Sequence, residues 1–312
     1  MSPEAPPLLI IGGPTAAGKT RLAMAVCDRV GGEIISADSV QVYRGLDVGS
    51  AKPTADEQAR VRHHVIDVLD PTERSHAGRW LALAEAAIAD VRARGRVPIV
   101  CGGTGLYLRA LVEGLAPIPD VSDAVREELA AELEARGVEA LHAALGQVDA
   151  VAAARLAPND TQRVVRALAV FRQTGRPISA FQADHDFAEH RPGARIVVVS
   201  PQPRELLFER IDARAAWMLE HGLVDEVRAL LDRGVPDDAP ALTTLGYREV
   251  VAELRGTATG GASLAERVAR GHRRYAKRQL TWFRGMTQRD PSVQHVDPLD
   301  AGALSHLLAR LA

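Results

Sequence analysis

A short glycine-rich segment carries the clearest chemical pattern in the sequence. Gly13-x-x-x-x-Gly18-Lys19-Thr20 lies between an apolar run, Leu8–Gly12, and a segment with helical periodicity that extends to about Val30. This is the P-loop pattern, in which backbone N–H groups converge on phosphate oxygens at the positive end of the following helix. Lys19 adds a point charge, and Thr20 offers a hydroxyl to Mg²⁺. The pattern predicts a phosphate site, but it leaves open whether the phosphates belong to a nucleotide or to a lipid diphosphate.

One carboxylate, Asp38, follows a predicted core strand that covers 33–36. Ligands of open α/β sheets bind beyond the carboxyl ends of the strands, so Asp38 is predicted to be a general base or hydrogen-bond acceptor facing a transferred group. A role in a turn or as an N-cap stays open. A P-loop kinase would normally carry an acid for Mg²⁺ after another core strand. Here the strand 97–101 ends in Gly102-Gly103, and the strand 195–200 ends in Ser-Pro.

A basic face marks the last long helix, predicted from about 264 to 283 and begun by the capping-box pair Ser263 and Glu266. No acid occurs between Arg267 and Arg289, whereas a merely solvated face usually alternates in sign. The face therefore suits the phosphates of a nucleic acid, although a solvated surface remains the alternative. It consists of Arg267, Arg270, Arg274, Lys277 and Arg284, flanked by Arg273 and Arg278.

Strands alternate with helices at both ends of the chain, which predicts an α/β fold: a P-loop NTPase-like parallel sheet flanked by helices. Further strands are predicted at 64–68, 97–101 and 195–200, and helices at 77–94, 205–221 and 224–233. Between 115 and 193 the pattern shows helices without convincing strands, and 176–193 resembles a long loop. We therefore predict a catalytic core at 1–119 and 194–312, with an all-helical insertion at 120–193.

The composition is that of an ordinary globular protein, with 46% hydrophobic and 25% charged residues. A formal net charge of -2 means that any polyanion binder must concentrate its positive charge locally. The two cysteines, Cys27 and Cys101, form no metal-binding or disulfide pattern, and no signal peptide or membrane span is recognisable. We expect a cytoplasmic protein.

His63-His64 is expected to be structural, whereas Tyr43 suits base stacking or packing equally well.

Several long blocks together resemble the tRNA dimethylallyltransferase (IPP transferase) family, in the family's order and over nearly the whole chain. They are GGPTAAGKT (12–20), ISADSVQVYRGLDVGSAKP (35–53), HHVID (63–67), CGGTGLYLRAL (101–111), PNDTQRVVRAL (158–168), TGRPIS (174–179) and YAKRQLTWFR (275–284). The chain departs from the family's usual pattern at Thr244-Leu245-Gly246-Tyr247 and at Arg74-Ser75-His76-Ala77. Neither departure falls on the expected chemistry.

The resemblance implies dimethylallyl diphosphate as donor, Mg²⁺ as cofactor and N6 of adenosine 37 in tRNA as acceptor, with the insertion holding the anticodon stem-loop. It implies Asp38 as general base, with Lys19 also catalytic and Thr104 lining the channel between the two substrates. The implied diphosphate site is Gly13, Thr15, Ala16, Ala17, Gly18, Lys19, Thr20 and Arg214, with Thr20 on the metal. The implied tRNA contacts are Asp38, Ser39, Val40, Gln41, Gln162, Arg163, Val164, Val165 and Arg166, to which the helix face adds Arg270, Arg274 and Lys277. We expect a monomer.

Three other functions compete with this interpretation. A small-molecule or nucleotide kinase would use the same loop but has no use for the basic helix face. A non-catalytic RNA-binding protein has no use for Asp38 beside an intact Lys19-Thr20 pair. A relative that prenylates free adenine nucleotides would not need Arg163 and Arg166 on the insertion.

Overall fold

The computed structural model describes residues 7–185 and 191–311. In this part of the chain six strands form one sheet in the order β3-β2-β4-β1-β5-β6, and all neighbouring strands are parallel. The predicted α/β fold with a parallel sheet is confirmed. The strands are β1 Leu8–Gly12, β2 Gly32–Ala37, β3 His63–His64, β4 Val97–Gly102, β5 Ala194–Val199 and β6 Gln294–Val296.

Thirteen α-helices accompany the strands within the described ranges. The first four are α1 Lys19–Val30, α2 Ala55–Arg60, α3 Ala77–Ala93 and α4 Gly105–Glu113. The next four are α5 Asp123–Val148, α6 Ala150–Arg155, α7 Thr161–Thr174 and α8 Ile178–Asp184. The last five are α9 Arg204–Glu220, α10 Leu223–Asp232, α11 Tyr247–Leu254, α12 Leu264–Arg289 and α13 Ala303–Ala309.

Both faces of the sheet are buried, which is why its strands read as continuous apolar runs in the sequence. Successive residues of a strand point to opposite faces. Leu8 and Ile10 of β1 therefore join one apolar cluster, and Leu9 and Ile11 join another. The two clusters hold the helices against the sheet and fix the ends of the strands, where the candidate site lies.

Helix α12 crosses close to the carboxyl ends of the strands. A Cβ atom added at Gly12 would lie 2.7 Å from Cε1 of Phe283, and one added at Gly105 would lie 2.3 Å from the Trp282 ring. Only glycine permits approaches this close. The predicted Ser263–Glu266 capping box at the start of α12 is confirmed, and the helix continues past the predicted end.

Two predicted elements are wrong. The third strand was predicted at 64–68, but β3 ends at His64 because Val65 and Asp67 adopt left-handed backbone conformations with φ of 60° and 54°. The segment 176–193 was predicted to be a loop, yet α8 lies within it. Pro177 stands at the N-cap of α8, and Ile178 is buried beneath it. Residues 186–190 of that predicted loop lie outside the described residues.

The described chain forms two compact units, Met1–Val112 with Arg191–Ala312, and Glu113–His190. The first unit holds the sheet. The second contains helices and no strand among its described residues, and its core is built around Leu129, Leu141 and Leu168. The insertion predicted from the sequence, 120–193, begins seven residues later and ends three residues later than this second unit.

Candidate active site

The loop between β1 and α1 has the backbone that its glycines predict. Gly13 has a φ of 149°, and a Cβ atom there would lie 2.2 Å from the carbonyl oxygen of Val199. Gly18 has a φ of 89° and forms the N-cap of α1. The next two N–H groups, of Lys19 and Thr20, lie in the first turn of α1, where an α-helix offers them no internal acceptor. These N–H donors and the positive end of the helix converge on one place, which suits a phosphate.

Thr15 was predicted to lie in the diphosphate site, but its N–H group bonds within the protein and does not join that cluster. It donates to Oε1 of Gln279 on α12 at 2.9 Å. The amide of Gln279 is buried, and its Nε2 donates to the carbonyl oxygen of Gly103 at 2.9 Å. The hydroxyl of Thr15 is therefore the group that this residue retains for a bound diphosphate.

Lys19 lies under the loop, and its Nζ donates to the carbonyl oxygen of Pro14 at 2.7 Å. Burial lowers the pKa of Lys19 to about 8, although the nearby charge of Asp38 opposes the decrease. A bound anion would stabilise the ammonium form and raise this pKa again. At neutral pH Lys19 is therefore mostly an ammonium ion, and a bound phosphate would keep it in this form.

Two arginines of α9 extend the positive site. Burial lowers the pKa of Arg214, the neighbouring Arg210 lowers it further, and the charge of Asp38 raises it. The Nη1 atom of Arg210 is buried without a hydrogen-bond partner among the described residues. It lies 3.9 Å from the position that a Cβ atom on Gly18 would occupy. Because an unpaired buried guanidinium nitrogen is costly, this geometry suits the binding of an anion beside the loop.

Arg210 was missed in the sequence. Its spacing of four residues from Arg214 on one helix face was the available signal.

Asp38 follows β2, as predicted, and its carboxylate is oriented by its own loop. Oδ1 accepts hydrogen bonds from the N–H groups of Val40 at 2.8 Å and Gln41 at 3.3 Å. These two bonds hold one oxygen of the carboxylate against its own loop. The charge of Asp38 affects the pKa values of Lys19, Arg214 and Tyr275, which places the carboxylate among the positive groups of the site.

The loop that carries Asp38 is anchored by residues far along the chain. The Glu226 carboxylate accepts hydrogen bonds from the N–H groups of Asp47 and Val48, each at 2.8 Å. The Lys52 ammonium bonds Asp67 at 2.6 Å and the carbonyl oxygen of Tyr43 at 3.0 Å. These bonds explain why the long block 35–53 forms a defined loop although it contains no strand or long helix after β2.

Two side chains of this loop, those of Gln41 and Tyr43, are engaged within the protein. Gln41 was expected to contact RNA, but its Oε1 accepts from the Ser36 hydroxyl at 2.9 Å, and its Nε2 donates to the carbonyl oxygens of Ser50 and Ala51 at 3.3 and 3.2 Å. Its side chain is therefore engaged within the protein. Of the two roles left open for Tyr43, the structure favours packing, because the residue is only 3% exposed and lies in the core.

Thr104 joins the ends of β2 and β4. Its N–H group donates to the carbonyl oxygen of Ala37 at 3.1 Å, and its Oγ1 accepts from the N–H group of Ser39 at 3.1 Å. Tyr275 of α12 forms a side-chain hydrogen bond with Thr104, and burial raises the pKa of Tyr275 to about 12. Thr104 thus lies next to Asp38 in space, as its predicted place between the substrates requires.

The basic face of α12 is partly as predicted. Arg267 forms an ion pair with Glu253, and Arg273 forms one with Asp212, so these two charges are compensated within the protein. The residues of the predicted basic face that remain exposed, with the flanking Arg278, are Arg270, Arg274, Lys277 and Arg284.

On α7 of the helical unit, Gln162, Arg163 and Arg166 are exposed, and Arg163 forms an ion pair with Asp160 at 3.0 Å. Val164 is fully buried in the core of that unit, and Val165 is partly buried against it. The predicted contact of the Val164 side chain with RNA is therefore wrong, because the apolar face of the helix, including this residue, packs inward.

The remaining polar groups in the described ranges give no second catalytic or metal centre. Burial raises the pKa of Cys101 to about 11 and that of Cys27 to about 12, so neither is a thiolate nucleophile at neutral pH. His64 bonds Glu33 at 2.7 Å. The described residues contain no group of three or more His, Cys, Asp or Glu side chains that could hold a metal ion. None of the described helices is both long enough and apolar enough to cross a bilayer.

Comparisons with known proteins show to which family the chain belongs. A family model described as IPP transferase matches residues 41–286, and one described as Isopentenyl transferase matches residues 6–69. A tRNA dimethylallyltransferase from Sorangium cellulosum is 50% identical over 285 residues, which cover 91% of this chain and 90% of that protein.

Solved structures give the same result. The full-length tRNA isopentenylpyrophosphate transferase of Bacillus halodurans superposes with a TM-score of 0.68 at 36% identity, covering 98% of this chain and 97% of that one. A eukaryotic dimethylallyltransferase studied acting on tRNA gives a TM-score of 0.80 at 24% identity, covering 98% of this chain and 77% of that one, which shows a shared fold. With the family match and the 50% identity over nearly its whole length, this chain belongs to the IPP transferase family, the family of the tRNA dimethylallyltransferases.

Proposed function

We propose that this protein transfers the dimethylallyl group of dimethylallyl diphosphate to N6 of adenosine 37, beside the anticodon of tRNA, and releases diphosphate. The observation that carries the proposal is the convergence of Lys19, Arg210 and Arg214 around the P-loop with the carboxylate of Asp38 next to them. The cations suit a diphosphate. The carboxylate suits a nucleophile that must lose a proton.

Asp38 is proposed to act on the adenine amine. The N6 lone pair is delocalised into the ring, so the amine is a weak nucleophile. One oxygen of Asp38 is held by two backbone N–H groups, which leaves the other to accept an N6–H hydrogen bond and aim the nitrogen. As the bond from N6 to the first carbon of the dimethylallyl group forms, the carbon–oxygen bond to diphosphate breaks. The N6 proton then passes to Asp38.

The leaving diphosphate takes the electron pair of the broken bond and gains negative charge. Lys19, Arg210, Arg214 and the N–H groups at the start of α1 are proposed to stabilise that charge, because they are fixed in place before the reaction. The N–H group of Thr15 serves the loop structure instead, since it is bonded to Gln279.

Mg²⁺ fits this site only together with the substrate. No cluster of three protein acids exists among the described residues, and Mg²⁺ commonly binds through one or two protein groups, substrate phosphates and water. The Thr20 hydroxyl is the proposed protein ligand. When bound, the ion would neutralise charge on the diphosphate.

RNA recognition is proposed to use two sets of exposed basic residues. One set is Arg270, Arg274 and Lys277 on α12, and the other is Arg163 and Arg166 on α7. Phosphate contacts of this kind supply affinity, whereas the adenine must leave the stacked loop to reach Asp38. We further propose that the protein acts as a monomer in the cytoplasm. Its two cysteines are free buried thiols, which suits a reducing compartment.

A labelling experiment tests the proposal. The protein is incubated with Mg²⁺, dimethylallyl diphosphate carrying a label in the isoprenoid group, and an anticodon stem-loop RNA, AMP or ATP. We expect label in the RNA alone. Label in AMP or ATP would instead indicate a nucleotide prenyltransferase, and phosphate transfer from ATP without prenylation would indicate a kinase.

A further inference from the structure

The amide of Gln279 connects the two halves of the candidate site. Gln279 is 5% exposed, and both of its polar atoms are used. Its Oε1 accepts the Thr15 N–H group of the P-loop, and its Nε2 donates to the carbonyl oxygen of Gly103, both at 2.9 Å. Gly103 directly precedes Thr104, which contacts the Asp38 loop. One side chain therefore spans from the donor loop to the turn beside the general base.

The local sequence accommodates this amide closely. A Cβ atom on Gly103 would lie 2.3 Å from Nε2 of Gln279 and 2.9 Å from the carbonyl oxygen of Gly13. The turn and the P-loop thus approach each other at a place where a larger residue would collide with both. The amide is the hydrogen-bonded link across this approach.

Helix α12 does not depend on Gln279 to stay in place. Val268, Ala276, Phe283 and Met286 of the helix are buried in the apolar clusters of the sheet unit. The capping box fixes the start of the helix. The two amide hydrogen bonds are therefore free to serve geometry rather than the attachment of the helix.

We propose that Gln279 is a positioning residue that fixes the donor loop relative to the Asp38–Thr104 side of the site. Transfer requires the reacting carbon of the donor and N6 of the adenine at near-contact distance and in line. A displacement of about 1 Å can cost on the order of 10²-fold in rate. The donor is held by the loop, and the amine by Asp38. A loosened link therefore lowers kcat and leaves the affinity for each substrate nearly unchanged.

Three variants test this inference, which rests on the proposed transfer reaction. Gln279→Met keeps the length of the side chain and removes both hydrogen bonds. Gln279→Glu keeps an acceptor for Thr15 but, when ionised, sets a second oxygen against the carbonyl oxygen of Gly103. The exposed Gln288 on the same helix supplies the matched control Gln288→Glu.

For Gln279→Met we expect kcat to fall roughly 10–10²-fold. The KM values for dimethylallyl diphosphate and stem-loop RNA, and the Kd for inorganic diphosphate by calorimetry, should change less than about threefold, because the groups that bind each substrate are untouched. A kcat within twofold of wild type overturns the inference. So does a loss confined to KM.

Gln279→Glu adds a pH dependence of kcat that overall destabilisation does not produce. If Gln279→Met does not fold, this variant alone tests the inference. Protonated, the introduced carboxyl group can donate to Gly103 as the amide does; ionised, it repels that carbonyl oxygen. The ratio of variant to wild-type kcat should therefore be highest at low pH and fall as pH rises, at temperatures below melting. A flat ratio, as expected for Gln288→Glu, overturns the inference. If wild type transfers no label to RNA, the proposed function itself has failed, and this outcome is distinct.

Discussion

Replacement of Asp38 by Asn is the most informative single change, because the structure separates the folding role of this side chain from its proposed chemical role. The bonds from Val40 and Gln41 go to Oδ1, and an asparagine keeps that oxygen as an acceptor. The loop should therefore retain its conformation. The other oxygen becomes an NH₂ group, which can neither accept the N6–H hydrogen bond nor take its proton.

The expected loss is roughly 10²–10⁴-fold in the rate of the chemical step, the usual contribution of a positioned base. This corresponds to about 3–5 kcal/mol of transition-state stabilisation. RNA affinity should fall by no more than the loss of one hydrogen bond, because the proposed phosphate contacts are unchanged. Donor affinity should change little, because loss of the Asp38 charge removes its repulsion of the diphosphate but also lowers the pKa of Lys19. Without that charge the Lys19 pKa drops below its value of about 8, and less of the ammonium form is present at neutral pH.

The assay is a single-turnover reaction with enzyme in excess over labelled stem-loop RNA and saturating dimethylallyl diphosphate, quenched at intervals at pH 7. Saturating donor removes the indirect effect through Lys19. Asp56→Asn, at an exposed position on α2, serves as the matched control and should react like wild type. A single-turnover rate for Asp38→Asn within a few-fold of wild type would refute the role of Asp38.

Three further predictions concern binding. The wild-type affinity for dimethylallyl diphosphate should fall as pH rises through about 8, because the Lys19 ammonium that attracts diphosphate is then lost. The Lys19→Ala variant should bind the donor more weakly. Calorimetry across pH should show that its affinity lacks the decrease near pH 8. Arg210→Met should raise the Kd for inorganic diphosphate roughly 10-fold, the equivalent of about 1.4 kcal/mol, and leave RNA affinity unchanged, since its buried Nη1 has no other partner in the described chain. Joint replacement of Arg270, Arg274 and Lys277 by Ala should weaken stem-loop binding and reduce the slope of log affinity against log salt by up to about three, roughly one for each lost phosphate contact.

Each of these predictions has a contrary result. A parallel pH dependence in wild type and Lys19→Ala would assign the effect to ionisation of the donor. Unchanged diphosphate affinity in Arg210→Met would place the diphosphate away from Gly18. An unchanged salt slope in the triple variant would mean that the α12 face is merely solvated. Arg228→Ala on α10, another exposed arginine, is the control for nonspecific loss of positive charge.

The sequence predicted best those features that depend on neighbouring residues. The P-loop between β1 and α1 follows from glycines whose backbone conformations no other residue adopts easily, and the buried strands follow from continuous apolar runs. Asp38 could be placed at the carboxyl edge of the sheet because a parallel strand ends just before it. These inferences need no knowledge of distant contacts.

The features that were missed depend on contacts between distant segments. Gln279 meets Thr15 across 264 positions of the chain, and nothing near either residue indicates the pairing. Gln41 was named as an RNA contact because it lies in a block that matches the family, but carbonyl groups of its own loop occupy its amide. The helix α8 was hidden by Pro177, which reads as a loop residue yet also suits the start of a helix. Val164 was included because it belongs to the block 158–168 that matches the family, although the helical period turns it inward.

The central claim is that the dimethylallyl group reaches N6 of one adenosine beside the anticodon. Its most direct test is to digest the reacted stem-loop to nucleosides and to map the modified position by mass spectrometry. A stem-loop with guanosine at position 37 is treated in parallel. The account predicts N6-dimethylallyl adenosine at position 37 and no product from the guanosine variant. A group on another adenosine, on another atom of the base, or on both RNAs would contradict it.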